Sequence, residues 1–286
     1  MRFGILHSVL FSTWLVAAQN WAAQDMAKQN QAAPSSSPNE LVRKVVTDEL
    51  NAEQRDHTHW IYQVVTNVPA PEKTTTVVET ADGDIHYVDD VAGRPLTGEQ
   101  RSEEDKKTQQ FVSDPDQQSK ARREAAADDK KSAQLFGMLP DAFLFQYAGR
   151  SGDNVKLSFQ PNPAFTSHSS DAYVFHKMDG FVILNTKADR LVEISGELTH
   201  GVEFAGGLLG HLDPGGTFDV RREEVAPGHW AITKLKVNMN GKVLFFKSIN
   251  VQQDEVHSHF RRIPDSTTLL EAEKMAESRP SSSGAD

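Results

Sequence analysis

Two pairs of histidines, each spaced one residue apart, are the residues of this chain best suited to metal chemistry. His57 and His59 form the first pair, and His257 and His259 form the second. In a β-strand, residues i and i+2 point to the same face, so each pair could present two imidazoles to one zinc ion. Carboxylates beside them could complete the ligand set: Asp56, Asp254 and Glu255. A zinc-dependent hydrolase is therefore one hypothesis, although such pairs also arise by chance in a chain with 11 histidines.

No other arrangement of reactive side chains predicts catalysis. Ser, His and Asp all occur, but the chain has no Gly-X-Ser-X-Gly segment of the kind that exposes a nucleophile on a sharp turn. Adjacent carboxylates such as Glu103 and Glu104 lie in charged runs typical of solvated surface. Cysteine is absent, which excludes disulfides, cysteine nucleophiles and cysteine metal ligands. The sequence therefore favours a non-enzymatic protein without a cofactor, and we assign no metal ligand.

The charge and the N-terminus indicate an acidic, exported protein. Lys and Arg number 30 against 40 Asp and Glu, a formal net charge of −10, which disfavours binding to nucleic acid. Arg2, the mostly apolar stretch Phe3–Val16, and Ala17 and Ala18 resemble a signal peptide, predicted over residues 1–18 and cleaved. The apolar stretch is shorter than the ~20 residues that a membrane helix needs. We expect a periplasmic or exported location, and the lack of disulfides favours a bacterial cell envelope.

The remaining chain divides into a linker, one domain and a tail. Residues 19–39 are rich in Gln, Ala, Ser and Pro and are predicted to be a disordered linker. Residues 40–263 are predicted to form a single domain that begins with a helix, because the apolar residues of Leu41–Leu50 follow a helical stripe. Residues 264–286 are predicted to form a short helix and a disordered tail.

Residues 97–131 have a different composition from the rest of the domain. Charges of both signs alternate here, and Phe111 and Val112 are the only large apolar residues. Asp114 followed by Pro115 is typical of a helix start. We predict two charged helices, roughly Glu99–Phe111 and Pro115–Lys131, in a solvated insertion. A docking arm for an envelope partner is the alternative.

Short apolar runs separated by turn residues predict an antiparallel sheet of about eleven strands. Asp82 with Gly83, Asp179 with Gly180, and Asn240 with Gly241 are pairs typical of tight hairpin turns. Tyr173–Lys177 is one of the predicted strands. A sheet of this size curls, so the fold class expected is mainly β with a few helices: a curled antiparallel sheet, or incomplete β-barrel, plugged by helices.

Aromatic side chains repeat on one face of the predicted strands. Because they alternate with polar residues, they would line the inside of the curl. The helix Leu41–Leu50 and the short apolar segment Leu135–Leu139 are the available plugs. If these fill the curl only in part, the aromatics form the wall of a ligand cavity; otherwise they are ordinary core. The predicted wall residues are Trp60, Phe143, Phe145, Phe159, Phe175 and Trp230.

A glycine-rich segment, His200–Gly216, interrupts the strands. It lacks the residues of a phosphate-binding loop. Leu208 and Leu209 lie between its glycines and could form a mobile apolar gate beside the cavity. An ordinary loop is the alternative.

In layout, the chain resembles the bacterial outer-membrane lipoprotein-sorting proteins of the LolA/LolB-like superfamily. The likeness is carried by LVRKVVTDELNAEQ, by HTHWIYQVV, KTTTVVET and DIHYVDD, and by AYVFHKMDGFVILNTKADRLVEISGEL. The resemblance implies an unclosed antiparallel barrel that holds a lipid or lipoprotein acyl chain without chemistry. It does not assign individual contact residues. A structural or scaffolding envelope protein that docks a partner through residues 97–131 is the second hypothesis.

Overall fold

Antiparallel pairing connects every strand in the computed structural model of the chain, which describes residues 36–167, 169, 171–204, 210–243 and 247–278. Four predictions concern residues that lie partly or wholly outside these ranges. The predicted signal peptide, residues 19–35 of the linker and the gate residues Leu208 and Leu209 lie outside the described residues, as do residues 279–286 of the tail.

The elements follow one another in this order: α1 (Pro38–Arg55), β1 (His59–Val68), β2 (Lys73–Val78), β3 (Ile85–Val91), β4 (Arg94–Pro95), α2 (Gly98–Ser113), α3 (Pro115–Ala142), β5 (Phe143–Ser151), β6 (Asn154–Pro161), a 3-10 helix (Asp171–Lys177), β7 (Met178–Asn185), β8 (Arg190–Leu198), β9 (Val202–Phe204), β10 (Gly210–Leu212), β11 (Thr217–Ala226), β12 (His229–Val243), β13 (Lys247–Ile263) and α4 (Leu269–Glu277).

The strands form one 13-stranded sheet in the order β4-β3-β2-β1-β13-β12-β11-β8-β7-β6-β5, with β10 added beside β12 and β9 beside β10. The first and last strands of this order are not paired with each other, so the sheet does not close into a barrel. This confirms the predicted fold class, a mainly β protein with a curled antiparallel sheet and a few helices.

Helix α1 is one of the plugs, as its apolar stripe predicted. Ser37 caps it by accepting from the backbone N–H of Glu40, whose carboxylate accepts in turn from the Ser37 N–H. The buried residues of its stripe pack with α3 and with strands β5–β8: Leu41, Val42, Val45 and Val46. We call the face of the sheet that these helices cover the inner face.

Helix α3 joins two predicted segments into one. It runs without a break for 28 residues and therefore includes both the charged helix and the apolar segment Leu135–Leu139. Residues 122–132 are exposed, whereas Leu139 and Ala142 are buried in the inner core. Within the described residues, no helix has both the length and the hydrophobicity that crossing a membrane requires.

A second core lies on the other face of β1–β3, which we call the outer face. Ile61, Val78, Ile85 and Tyr87 are almost fully buried there beneath α4. Helix α2 adds Phe111 and Val112 to this core, so the charged insertion is anchored by its two large apolar residues. Since successive strand residues point to opposite faces, Trp60 lies on the inner face and Ile61 on the outer face.

The predicted strand Tyr173–Lys177 is wrong, because this segment is a 3-10 helix. Ala172, Phe175 and Met178 are buried, and they recur at every third residue. That spacing matches the three residues per turn of a 3-10 helix and places all three side chains against one core.

Two predicted turns are also wrong, because the glycines lie inside strands. Gly180 is in β7 and Gly241 is in β12. A Cβ atom on Gly180 would lie 2.7 Å from Cζ of Phe159, and one on Gly241 would lie 2.9 Å from Cα of Leu212. Each glycine therefore serves close packing in the sheet rather than a change of chain direction. The third pair does form a turn, with Gly83 at φ 124° between β2 and β3.

Candidate functional site

A cavity of about 1260 Å³ opens on the inner face of the sheet. Helices α1 and α3 form one side of it, and β1, β8, β11, β12 and β13 form the other. Helix α1 packs on β5 and β8 but leaves the inner face of the central strands partly uncovered. Much of the wall is apolar, including Leu50, Phe136, Ile194, Val220, Ile232 and Phe260.

The structure separates the six predicted wall aromatics into two groups. Trp60 and Trp230 line the cavity. The four phenylalanines lie in the inner core, each at most 7 % exposed. Their rings pack on one another, with centroids 4.5 Å apart for Phe143 and Phe159 and 5.4 Å apart for Phe143 and Phe175. Phe145 packs on Phe159 with the centroids 5.8 Å apart. The four phenylalanines therefore belong to the packed core next to the cavity and do not line it.

One end of the cavity is built around Trp60. Its indole ring stacks on the imidazole of His229, with centroids 4.0 Å apart and planes 13° apart. Nδ1 of His229 lies 3.1 Å from Oδ2 of Asp56, and the indole N–H donates to the Thr58 hydroxyl. Burial opposes ionisation of Asp56, but hydrogen bonds from Thr58 and His229 outweigh it and lower the pKa of this carboxyl. These contacts join the end of α1 to β1 and β12.

Glu79 is the second acidic group at this end. Its carboxylate accepts from the backbone N–H of Trp60 at 3.0 Å. Burial, reinforced by the negative charge of Asp84, raises the pKa of Glu79 to about 7. At neutral pH this carboxyl is therefore protonated in part of the molecules.

Another part of the cavity wall holds a buried charge cluster. Glu49 of α1 is 5 % exposed, and its Oε2 lies 3.1 Å from Nη1 of Arg190 and 2.6 Å from Nη1 of Arg222. Its Oε1 accepts from the backbone N–H of Leu191 at 2.8 Å. We call Glu49, Arg190 and Arg222 the arginine cluster.

This cluster was not predicted from the sequence. A signal was present, because Glu49 continues the spacing of Leu41 and Val45 along the buried stripe of α1. A carboxylate in an apolar helical stripe predicts a buried charge that needs a cationic partner. The identity of those partners could not be read from the sequence, since Arg190 and Arg222 lie on strands far along the chain.

The two histidine pairs do not lie beside each other: His257 and His259 are in β13 and His59 begins the neighbouring strand β1, whereas His57 precedes β1. His59 pairs with Ile263, whereas His257 pairs with Val64, five positions along β1, a separation of about 17 Å. His259 has a φ of 58° at an irregularity in β13, which breaks the alternation that His257 and His259 would need to share a face. Among the described residues, no group of three His, Cys, Asp or Glu side chains is arranged to hold a metal ion.

Comparison with protein-family models, with curated proteins and with solved structures finds no match to this chain.

Proposed function

We propose that this protein is a non-enzymatic cell-envelope protein that binds an apolar ligand, such as a lipid or lipoprotein acyl chain, in the inner cavity. The observation that supports the proposal is the cavity itself. Its volume is about 1260 Å³, and apolar side chains of both the helices and the sheet line it. Ligand pockets commonly have volumes of about 300 to 1,000 Å³, so this cavity can hold a hydrocarbon chain.

The binding free energy would come mainly from removal of hydrocarbon from water. Burial contributes about 0.8 kcal/mol for each methylene group. The large side chains of the wall, including Phe136 and Ile232, supply the apolar contact surface. An exported or periplasmic location belongs to the same proposal and would give the protein access to membrane lipids.

Direct detection of ligand tests this proposal. Native mass spectrometry of the protein purified from cells would show a bound lipid, and the delipidated protein would take up a fluorescent fatty acid. Absence of bound lipid together with absence of uptake would contradict the proposal.

A pair of matched variants locates the binding site. Ile232 lines the cavity and is 37 % exposed, whereas Val256 is 40 % exposed and pairs with Lys234 on the outer face. Ile232→Glu places a charge in the cavity and should abolish uptake of the fatty acid, and Val256→Glu should leave uptake unchanged. Equal uptake by both variants would show that the ligand binds elsewhere.

The exposed part of α3 supports the docking arm as a second candidate function. Residues 122–132 form three turns of helix without a buried side chain, which is unusual for a helix that serves only the core. Arg123→Glu combined with Lys130→Glu reverses two exposed charges there. If the arm docks an envelope protein, this variant loses a partner that copurifies with the wild type and keeps fatty-acid uptake.

A further inference from the structure

The arginine cluster carries an unbalanced positive charge against an apolar wall. Arg190 and Arg222 share the single carboxylate of Glu49, and within the described part of the chain no second acidic side chain lies within 4.0 Å of either guanidinium. Two cations and one anion leave one net positive charge. Their side chains are only 21 % and 24 % exposed, so this charge is weakly screened by solvent.

The two guanidinium groups retain donors for a ligand. A guanidinium has five N–H donors. Arg222 forms an ion pair with Glu49 through Nη1 and donates from Nη2 to the carbonyl oxygen of Trp230 at 3.1 Å. Arg190 directs one to Glu49. Both residues line the cavity, so their remaining N–H groups lie beside its space.

The other charged side chains of the cavity balance one another more closely. Asp56 contacts His229, and Arg262 pairs with Asp265. Glu53 and Arg55 are exposed residues of opposite charge at the end of α1. Glu79 is partly protonated at neutral pH because of its raised pKa. The excess of positive charge is therefore greatest at the arginine cluster.

We propose that the arginine cluster is a receptor for the headgroup of an amphiphile that carries one negative charge, with its hydrocarbon chain lying along Ile194, Val220 and Ile232. This inference rests on the proposed function, because it names the class of apolar ligand that the cavity takes. A carboxylate or a phosphodiester presents the oxygen pair that guanidinium groups bind through two parallel hydrogen bonds.

Three probes of equal chain length separate headgroup recognition from hydrocarbon burial: hexadecanoate, hexadecanol and hexadecyltrimethylammonium. We expect hexadecanoate to bind the delipidated protein at least about tenfold more tightly than hexadecanol, and the cation to bind most weakly. Phosphatidylglycerol vesicles, used as lipid donors and compared with hexadecanoate, distinguish a phosphodiester lipid from a free fatty acid as the preferred source of the anion. Phosphatidylcholine vesicles are the control, because that lipid has the same phosphodiester but no net charge.

Arg222→Gln should weaken hexadecanoate binding about tenfold and leave hexadecanol binding unchanged. The matched control is Arg221→Gln. Arg221 directly precedes Arg222 in β11, but its side chain pairs with Glu193 and Asp219 instead of facing the cavity. This control should bind both probes as the wild type does.

Glu49→Gln tests the same site in the opposite direction. It removes the competing carboxylate, while the amide oxygen can still accept from the Leu191 N–H. This variant should melt at a lower temperature than the wild type and bind hexadecanoate more tightly. Hexadecanoate should raise its melting temperature more than hexadecanol does.

The outcomes separate the two proposals. Equal binding of hexadecanoate and hexadecanol, unaffected by Arg222→Gln and Glu49→Gln, would overturn the headgroup receptor and leave the apolar cavity in place. Binding of neither probe would overturn both. If Arg222→Gln does not fold, Glu49→Gln and the comparison of probes on the wild-type protein still decide the question.

Discussion

The rings of Trp60 and His229 stack face to face with their centroids 4.0 Å apart, although the two residues are 169 positions apart along the chain. At the edge of the imidazole ring, Nδ1 lies 3.1 Å from Oδ2 of Asp56, the residue that caps the end of α1. This stack therefore connects the first strand, the twelfth strand and the helical plug at one end of the cavity.

Loss of the stack should destabilise the protein and expose the indole. For His229→Ala we expect a loss of about 1 kcal/mol in the free energy of unfolding, since an aromatic contact and the hydrogen bond to Asp56 are both removed. The tryptophan emission should also shift to longer wavelength. His200→Ala is the control, because His200 is exposed and contacts only the neighbouring Thr199 among the hydrogen-bond partners described. Equal stability of the two variants in urea denaturation would contradict the prediction.

Glu79 should make stability fall as the pH rises. Burial and the charge of Asp84 raise its pKa in the folded protein from 4.5 to about 7. Between these values the folded state binds more protons than the unfolded state, so the free energy of unfolding decreases with pH. The contribution is fully present below pH 4.5 and is lost as the pH passes 7; its size is about 3 kcal/mol.

Glu79→Gln isolates this effect, because the amide keeps an acceptor for the Trp60 N–H but does not titrate. We expect the variant to be more stable than the wild type at pH 8, with a flatter dependence of the free energy of unfolding on pH. Glu72→Gln, at an exposed site, is the control and should follow the wild-type curve. Parallel curves for wild type and Glu79→Gln in urea denaturation would refute the assignment.

Gly180 should not tolerate a side chain. It lies opposite Gly196 and Phe159 in the sheet, and an added Cβ would lie 2.8 Å from Cα of Gly196. Gly180→Ala should therefore cost about 2 kcal/mol through overpacking. Gly149→Ala is the matched strand variant, since a Cβ there meets no atom within 4 Å. Thermal unfolding of the two variants should differ by several degrees, and similar melting temperatures would show that the strands can separate to admit the methyl group.

Asn39 should contribute more to stability than an ordinary residue at a helix start. Its side chain donates to the carbonyl oxygens of Pro140 and Phe143 and accepts from the N–H of Phe145, so it connects α1 to α3 and β5. Asn39→Ala leaves these three backbone groups without that partner, and we expect a loss of about 2 kcal/mol. Asn51→Ala, at an exposed position of the same helix, should be neutral. The comparison is made by urea denaturation, and equal stabilities would mean that water replaces the three bonds.

Local sequence patterns predicted an element correctly where its apolar residues, or its turn residues, follow a single clear spacing. The stripe of α1, the turn at Gly83 and the alternation in β5 and β6 all depend on neighbours within a few residues, and each is present. The patterns failed at Gly180 and Gly241. A glycine that permits a turn and a glycine that permits close approach of another strand have the same local appearance, and only the partner strand distinguishes them.

Burial of apolar faces specifies strand and helix periods locally, so the amino-acid sequence alone was enough to predict a curled, mainly antiparallel β protein with an amphipathic helix at its start. Which side chains meet in the cavity was decided by tertiary structure alone. Glu49 meets Arg190 and Arg222, and Trp60 meets His229, only because the strand order brings distant segments together. Alternation predicts which face a residue occupies, but the strand order and the placement of the helices decide whether that face is filled or open.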